Sequence, residues 1–335
     1  MKESYLYKKL LNKRVRCKTC AHFCTISNQG RGFCGMRKNE NGKLFALNYN
    51  KVVALDIDPI EKKPLFHFLP GTKTLSLATP GCNFRCMNCQ NFRLSQEYEE
   101  ISSLKGEVQG EKVVEIALQK KVPSLSYTYT EPTIFLEYAI DTMKLAKEKD
   151  LKNIWVSNGF LSKKTIEMIA PYLDAINIDI KSFSNSFYKK NCNASLLPIL
   201  RTAKLLKDRG VWVEITTLII PNLSDKKDNL TKIARFIKRK LGKDTPWHIS
   251  RFTPSISWKL KDIPETPLKS LEDAYNIGKK EGLNYIYVGN TGKAIFSDTS
   301  CPFCGKTVVK RSGYNVKILT KDSICPDCNN KMELL

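Results

Sequence analysis

The middle of the chain alternates between short β-type runs and amphipathic helical runs, and this alternation limits the fold more than any other feature. Strand-like segments read "TLSLAT" from residue 74, "SLSYTYT" from 124, "NIWVSN" from 153 and "AINIDIKSF" from 175. "VWVEITTLI" from 211, "WHISRF" from 247 and "YIYVG" from 285 continue the series. Helical patterns such as "EKVVEIALQKK", "PTIFLEYAIDTMKLAKEK" and "LPILRTAKLLKDRG" lie between them, and Pro132 suits a first helical turn. No hairpin turn joins two of these strands, so they are expected to run parallel, linked by crossover helices. The expectation is an α/β fold, either an open wound sheet or a partial barrel, with chemistry at the C-terminal ends of the strands.

Polar residues interrupt the apolar strands at that end. The first strand runs into "GCNFRCMNCQN", and "YTEPT", "SNG", "DIK", "TT" and "SRFTP" close the next five. Asp179 and Lys181 are two residues apart, so an extended strand sends both to one face. A structural ion pair would look the same locally; repetition of polar ends across six strands favours a site.

Cysteine usage adds a second constraint. The N-terminus has no signal-peptide pattern and no apolar run reaches the 18 or so residues of a membrane span, so a cytoplasmic location is expected. Thiols stay reduced there, and twelve of them, eleven in clusters, imply metal chemistry rather than disulfides. Cys301, Cys304, Cys325 and Cys328 form two C-x-x-C knuckles flanking a hairpin-like "TVVKRSGYNVKIL", the pattern of a structural zinc ribbon. Cys17, Cys20, Cys24 and Cys34 could close around zinc or an iron–sulfur cluster; zinc is the reading adopted, with His22 as a neighbour. Cys82, Cys86 and Cys89 are three, not four. Three thiolates can hold three irons of a 4Fe–4S cluster and leave the fourth iron open to a small molecule. Cys192 stands alone after the fourth strand, either as an inert core thiol or as a hydrogen donor or covalent handle. His67, between two Phe, reads as packed.

Lys plus Arg exceed Asp plus Glu by 55 − 33 = +22. The lysines are spread along the whole length, which suits a solvated surface better than a nucleic-acid patch, though a nucleic-acid partner stays open.

The C-x-x-x-C-x-x-C loop after the first strand resembles the radical S-adenosylmethionine superfamily. "CAHFCTISNQGRGFCGMRKNENGKLF", "IDPIEKKPLFHFLPG", "TPGCNFRCMNCQN", "HISRFTPS" and "YIYVGN" are together similar to its AmmeMemoRadiSam-system branch, a distant relative of pyruvate formate-lyase activating enzymes. That resemblance implies a partial (β/α)6 barrel over residues 71–295, a cysteine-rich segment over 1–70 and a zinc-ribbon-like segment over 296–335. It implies a 4Fe–4S cluster on Cys82, Cys86 and Cys89, and S-adenosylmethionine cleaved to a 5′-deoxyadenosyl radical that takes hydrogen from a substrate. Cofactor contacts carry over to Phe84, Thr130, Glu131, Ser157, Asn158, Asp179 and Lys181. Tyr129 and Thr130 stand where the superfamily has two glycines, so the role of Glu131 carries over better than the backbone contacts. His248, Arg251 and Thr217 are candidate substrate contacts, and Cys192 is the catalytic candidate. The implied partners are Memo-like and Amme-like proteins and an electron donor such as ferredoxin or flavodoxin. An RNA-modifying enzyme and an activase that installs a glycyl radical on a partner protein are the alternatives.

Overall fold

The computed structural model describes residues 1–97, 106–291 and 296–334. Short antiparallel strands build the N-terminal region. β1 (Lys2–Glu3), β5 (Arg37–Glu40) and β6 (Lys43–Ala46) form one sheet in the order β1-β6-β5, and β2 (Tyr7–Lys9), β3 (Val15–Cys17) and β4 (Thr25–Ile26) form another. A buried ion pair docks the first sheet on the rest of the chain: the Arg37 guanidinium reaches Glu137 at 2.7 Å and donates to Ser4 Oγ and the Ile134 carbonyl.

The central sheet has eight strands. β7 (Ala54–Pro59) pairs antiparallel with β8 (Lys73–Ala78). From β8 onward every pairing is parallel, through β9 (Ser124–Tyr127), β10 (Lys152–Ser157), β11 (Ala175–Asp179), β12 (Trp212–Ile219), β13 (Trp247–Arg251) and β14 (Ile286–Gly289). Neighbours in the sheet are neighbours in sequence, as right-handed crossovers on one side demand when a sheet curls toward a barrel. Helices α1 (Gly110–Gln119), α2 (Leu136–Glu148), α3 (Lys163–Ile169), α4 (Leu196–Lys207), α5 (Lys227–Phe236) and α6 (Leu268–Glu281) fill the connections. The six expected β/α units are therefore present, followed by a seventh parallel strand, and β7 lies inside the segment read from sequence as N-terminal. Among the described residues edge strands β7 and β14 do not pair with each other, so the barrel is open. Among the described residues no helix is long and apolar enough to cross a membrane.

Residues 60–69 plug the barrel instead of a wall. Ile60, Leu65 and Phe68 pack on Ile154, Ala175 and Trp212, which share a row across β10, β11 and β12. The plug is also held by polar contacts. Glu214, fully buried, accepts from the Phe66 and His67 amides, the Trp212 indole and His248 Nε2. Burial pushes its carboxyl upward, but the bond and charge of His248 outweigh this and bring it down to about 2. Arg311 enters from the C-terminal hairpin of β15 (Thr299–Ser300), β16 (Thr307–Ser312) and β17 (Asn315–Ile318); it donates to the Phe66 carbonyl and lies over the Phe66 ring.

His67 completes this arrangement as a packed residue, as its flanking phenylalanines suggest. Its two nitrogens meet the Glu333 carbonyl and the Tyr287 hydroxyl, a pattern that a neutral imidazole satisfies by donating once and accepting once. Burial depresses its pKa to about 4 from an ordinary 6.5. Between these values the unfolded chain takes a proton that the native chain refuses, so stability is full above pH 6.5 and is lost as pH falls toward 4. The loss amounts to about 3 kcal/mol over the whole window. Urea titrations near neutrality and at roughly pH 5 should show this decline in the native sequence and a flatter profile in His67→Gln.

Candidate active site

The three-cysteine loop sits on the C-terminal ends of β8 to β11. Gly81, at φ +95°, opens it; a side chain there would strike Met36. The loop's backbone is then tied down on all sides. The Arg85 and Met87 amides donate to the Cys192 and Asn191 carbonyls, and the Trp258 and Lys259 amides donate to the Cys89 and Met87 carbonyls. His22 Nε2 lies 2.7 Å from the Asn83 carbonyl.

Each thiol has a defined surrounding. Cys82 Sγ accepts from the Phe84 amide and lies 3.9 Å from Asn158 Nδ2. Cys192 neighbours Cys86, and Cys89 Sγ lies 3.3 Å from Ser95 Oγ. Burial, then the nearby Glu131 charge, pushes the Cys82 thiol up. A cation faces the group. Burial disfavours the Lys181 ammonium, but Asp179, 2.7 Å away, and the thiols of Cys86 and Cys192 outweigh it and raise its pKa.

Glu131 knits the strand ends. Its Oε1 accepts from the Thr133 amide and from the Thr133 and Ser157 hydroxyls; its Oε2 accepts from the Asn158 amide. Asn158 Nδ2 donates onward to Asn83 Oδ1 at 2.7 Å. Thr130 is committed to the Thr79 carbonyl. Phe84 is core, its ring covered by Phe160 and Tyr188.

The structure thus brings Cys82, Cys86, Cys89, Glu131, Ser157, Asn158, Asp179 and Lys181 to one end of the sheet. It adds Cys192, but fully buried beneath the loop. Thr217 and Arg251 lie at the same end but are engaged elsewhere: Thr217 bonds the Ile180 carbonyl and the Trp247 indole, and Arg251 pairs with Glu265 at 2.9 Å. His248 is held under the plug by Glu214.

Sequence reading gave no role to Asp58 and Lys63 and named Tyr129 only as a departure from the usual glycines; the three meet inside the barrel, with Asp58 level with Thr74 at the start of β8 and Lys63 in the plug. Lys63 Nζ reaches Asp58 at 2.5 Å, Tyr129 donates to the same carboxylate, and Asn91 Nδ2 holds the Tyr129 carbonyl. Tyr129 has φ +61°, the left-handed backbone that glycine adopts freely. A bulky residue where two glycines are usual was the available signal.

The remaining thiols form two separate groups. Cys301, Cys304, Cys325 and Cys328 place all four sulfurs within 4.8 Å of one another, with pairs at 3.5 and 3.6 Å. A tetrahedral zinc has sulfur–sulfur edges of about 3.8 Å, so this donor set fits one zinc ion. Cys17, Cys20, Cys24 and Cys34 line a cavity with His22 and Arg37.

An open parallel α/β barrel carrying three thiols on its first strand-end loop defines a class of cofactor-dependent enzymes. Comparison gives the family: residues 76–237 match the Radical SAM superfamily, and the chain belongs to it. Membership implies S-adenosylmethionine and a 4Fe–4S cluster. An uncharacterized protein of Methanocaldococcus jannaschii is 44% identical over the full length of both chains. The pyruvate formate-lyase-activating enzyme of Clostridium pasteurianum is 26% identical over 58% of this chain and 84% of its own. A radical SAM methyltransferase from Sphaerobacter thermophilus shares the fold at 12% identity, with a TM-score of 0.51 over 66% of this chain and 67% of that one.

The C-terminal thiols yield a test of their own. Cys325→Ala should lower bound zinc by one per chain and destabilise the last 35 or so residues, because metal binding and local folding are coupled. Zinc analysis with limited proteolysis of the terminus reads both effects; unchanged zinc would show that these thiols hold none.

Proposed function

We propose that the chain cleaves S-adenosylmethionine reductively at a 4Fe–4S cluster held by Cys82, Cys86 and Cys89, and uses the radical to take hydrogen from a substrate. The observation that carries this reading is the meeting of three thiols with the Lys181–Asp179 pair and Glu131 at one end of the sheet. Buried polar atoms at the same place, Asn83 Nδ2 and Thr216 Oγ1, have no partner, as expected where a polar ligand belongs. When bound, the cluster supplies the electron that splits the sulfonium carbon–sulfur bond into methionine and a 5′-deoxyadenosyl radical.

The chain's own groups position and select. Lys181 offers an ammonium to the cofactor's carboxylate, and Asp179, one-third exposed, offers an acceptor to ribose hydroxyls. Glu131 Oε2 has a lone pair left for the methionine amine, while Ser157 and Asn158 orient that carboxylate. Thr130 holds the β9 end in register with β8. Phe84 supports the loop from below. Cys192, away from solvent beside Cys86, is placed to donate a hydrogen atom to a product radical or to support the Cys86 sulfur.

A protein substrate is the reading favoured by the likeness to a pyruvate formate-lyase-activating enzyme. On that reading the product is a radical on a partner chain. Association with Memo-like and Amme-like proteins belongs to the same proposal and is supported by the branch motifs in the sequence.

Cys86→Ala should abolish 5′-deoxyadenosine formation under dithionite, and normal turnover in that variant would sink the assignment. Lys181→Met and Asp179→Asn should each keep the cluster and weaken S-adenosylmethionine binding about 10- to 100-fold, the equivalent of losing one charge-assisted contact. Titration followed by EPR, beside thermal melts, separates this from a purely structural pair, which would lower the melting temperature and spare affinity.

A further inference from the structure

Cys17, Cys20, Cys24 and Cys34 line one cavity together with Thr19, His22 and Arg37. This group is built differently from the C-terminal one. Among the described residues only the C-terminal four have three or more ligand atoms within 4.8 Å of one another. The N-terminal sulfurs line their cavity without three of them closing to that distance. A single zinc would have to draw all four toward one point, with edges of about 3.8 Å. A 4Fe–4S cluster gives each thiolate its own iron at a separate corner, and so suits sulfurs that line a cavity without closing on one point.

A second observation agrees. Arg37 Nε and Thr19 Oγ1 are buried, belong to residues lining this cavity, and have no partner. The inorganic sulfides of a cluster accept such donors, whereas a zinc ion has no acceptor atom of its own. The zinc expected from the cysteine spacing needs a tighter cage than the one found.

The cavity also backs onto the three-cysteine loop. His22, two residues after Cys20, meets the carbonyl of Asn83, which adjoins Cys82. Arg85 donates to the Phe33 carbonyl and lies over the Phe33 ring, next to Cys34. A side chain on Gly81 would come within 3.1 Å of the Cys34 carbonyl.

We propose that these four cysteines hold a second 4Fe–4S cluster, closed by four thiolates, which passes electrons to the three-cysteine loop. One electron enters from a reduced donor of the ferredoxin or flavodoxin class and moves on to the loop cluster; no bond forms or breaks at the N-terminal site. The relay, though not the cluster itself, rests on the function proposed above.

The test uses the full chain, reconstituted anaerobically with iron and sulfide. The native sequence should bind about eight irons and eight sulfides, and Cys82→Ala/Cys86→Ala/Cys89→Ala about four of each, with an EPR signal that S-adenosylmethionine does not alter. A native count of about four irons, with two zinc ions per chain, would overturn the cluster without depending on any variant folding. For the relay, Cys20→Ser/Cys34→Ser should lower the ratio of ferredoxin-driven to dithionite-driven S-adenosylmethionine cleavage. An unchanged ratio overturns the relay. If the native chain cleaves no S-adenosylmethionine with either reductant, the reading of the loop fails, and the iron count still decides the N-terminal site.

Discussion

The buried carboxylate of Glu131 is the point on which the site depends. It follows β9, accepts from the residues that end β10, and caps the turn that opens α2. Burial pushes its pKa up even though hydrogen bonds from Thr133, Asn158 and Ser157 favour the charge; a buried anion is tolerable only because its donors are fixed in place. Those donors are in turn the anchors of the cysteine loop, since Asn158 carries the chain from Glu131 to Asn83. Removing the carboxylate would therefore loosen two strand ends and the loop together, without touching a thiol.

The other end of the barrel is organised by a second buried acid. Glu214 gathers the plug, the strand beside it and His248, and Arg311 brings the C-terminal hairpin onto the same plug. The polar lumen is thereby spent on structure at one end and left open to chemistry at the other. This explains why His248 looks like a substrate contact in sequence and is a packed residue in the fold: it stacks on Tyr287 with Phe66 against its edge. The same division places the two cysteine-rich segments. The C-terminal thiols lie with the hairpin that meets the plug, and the N-terminal group lies against the loop where chemistry is expected.

Much of this was legible beforehand, for identifiable reasons. Period-two apolar runs separated by helical patterns specify parallel strands because no hairpin could join them. Cysteine spacing is local chemistry: C-x-x-C on a tight turn presents two thiols to one ion whatever the rest of the chain does. The Asp179–Lys181 pair was equally local, an i, i+2 relation that survives although the strand ends at Asp179. Pro132 opens a short 3-10 turn rather than the α-helix itself, with Glu131 as its cap.

The remainder was decided by tertiary contact. Phe84 and Cys192 carry side chains that could face a ligand or the core, and only the packing of the loop on Phe160, Tyr188 and the 188–192 turn sends them inward. Asp58, Lys63 and Tyr129 come from β7, the plug and the end of β9, so no spacing joins them. The N-terminal cysteines show the limit most plainly. Their spacing permits zinc or iron–sulfur alike, because sequence counts ligands but does not set the distances between them. The class of enzyme was thus written in the order of residues; which polar side chains serve the cofactor and which serve the core, and how large a metal centre four thiols can enclose, depended on how distant segments pack.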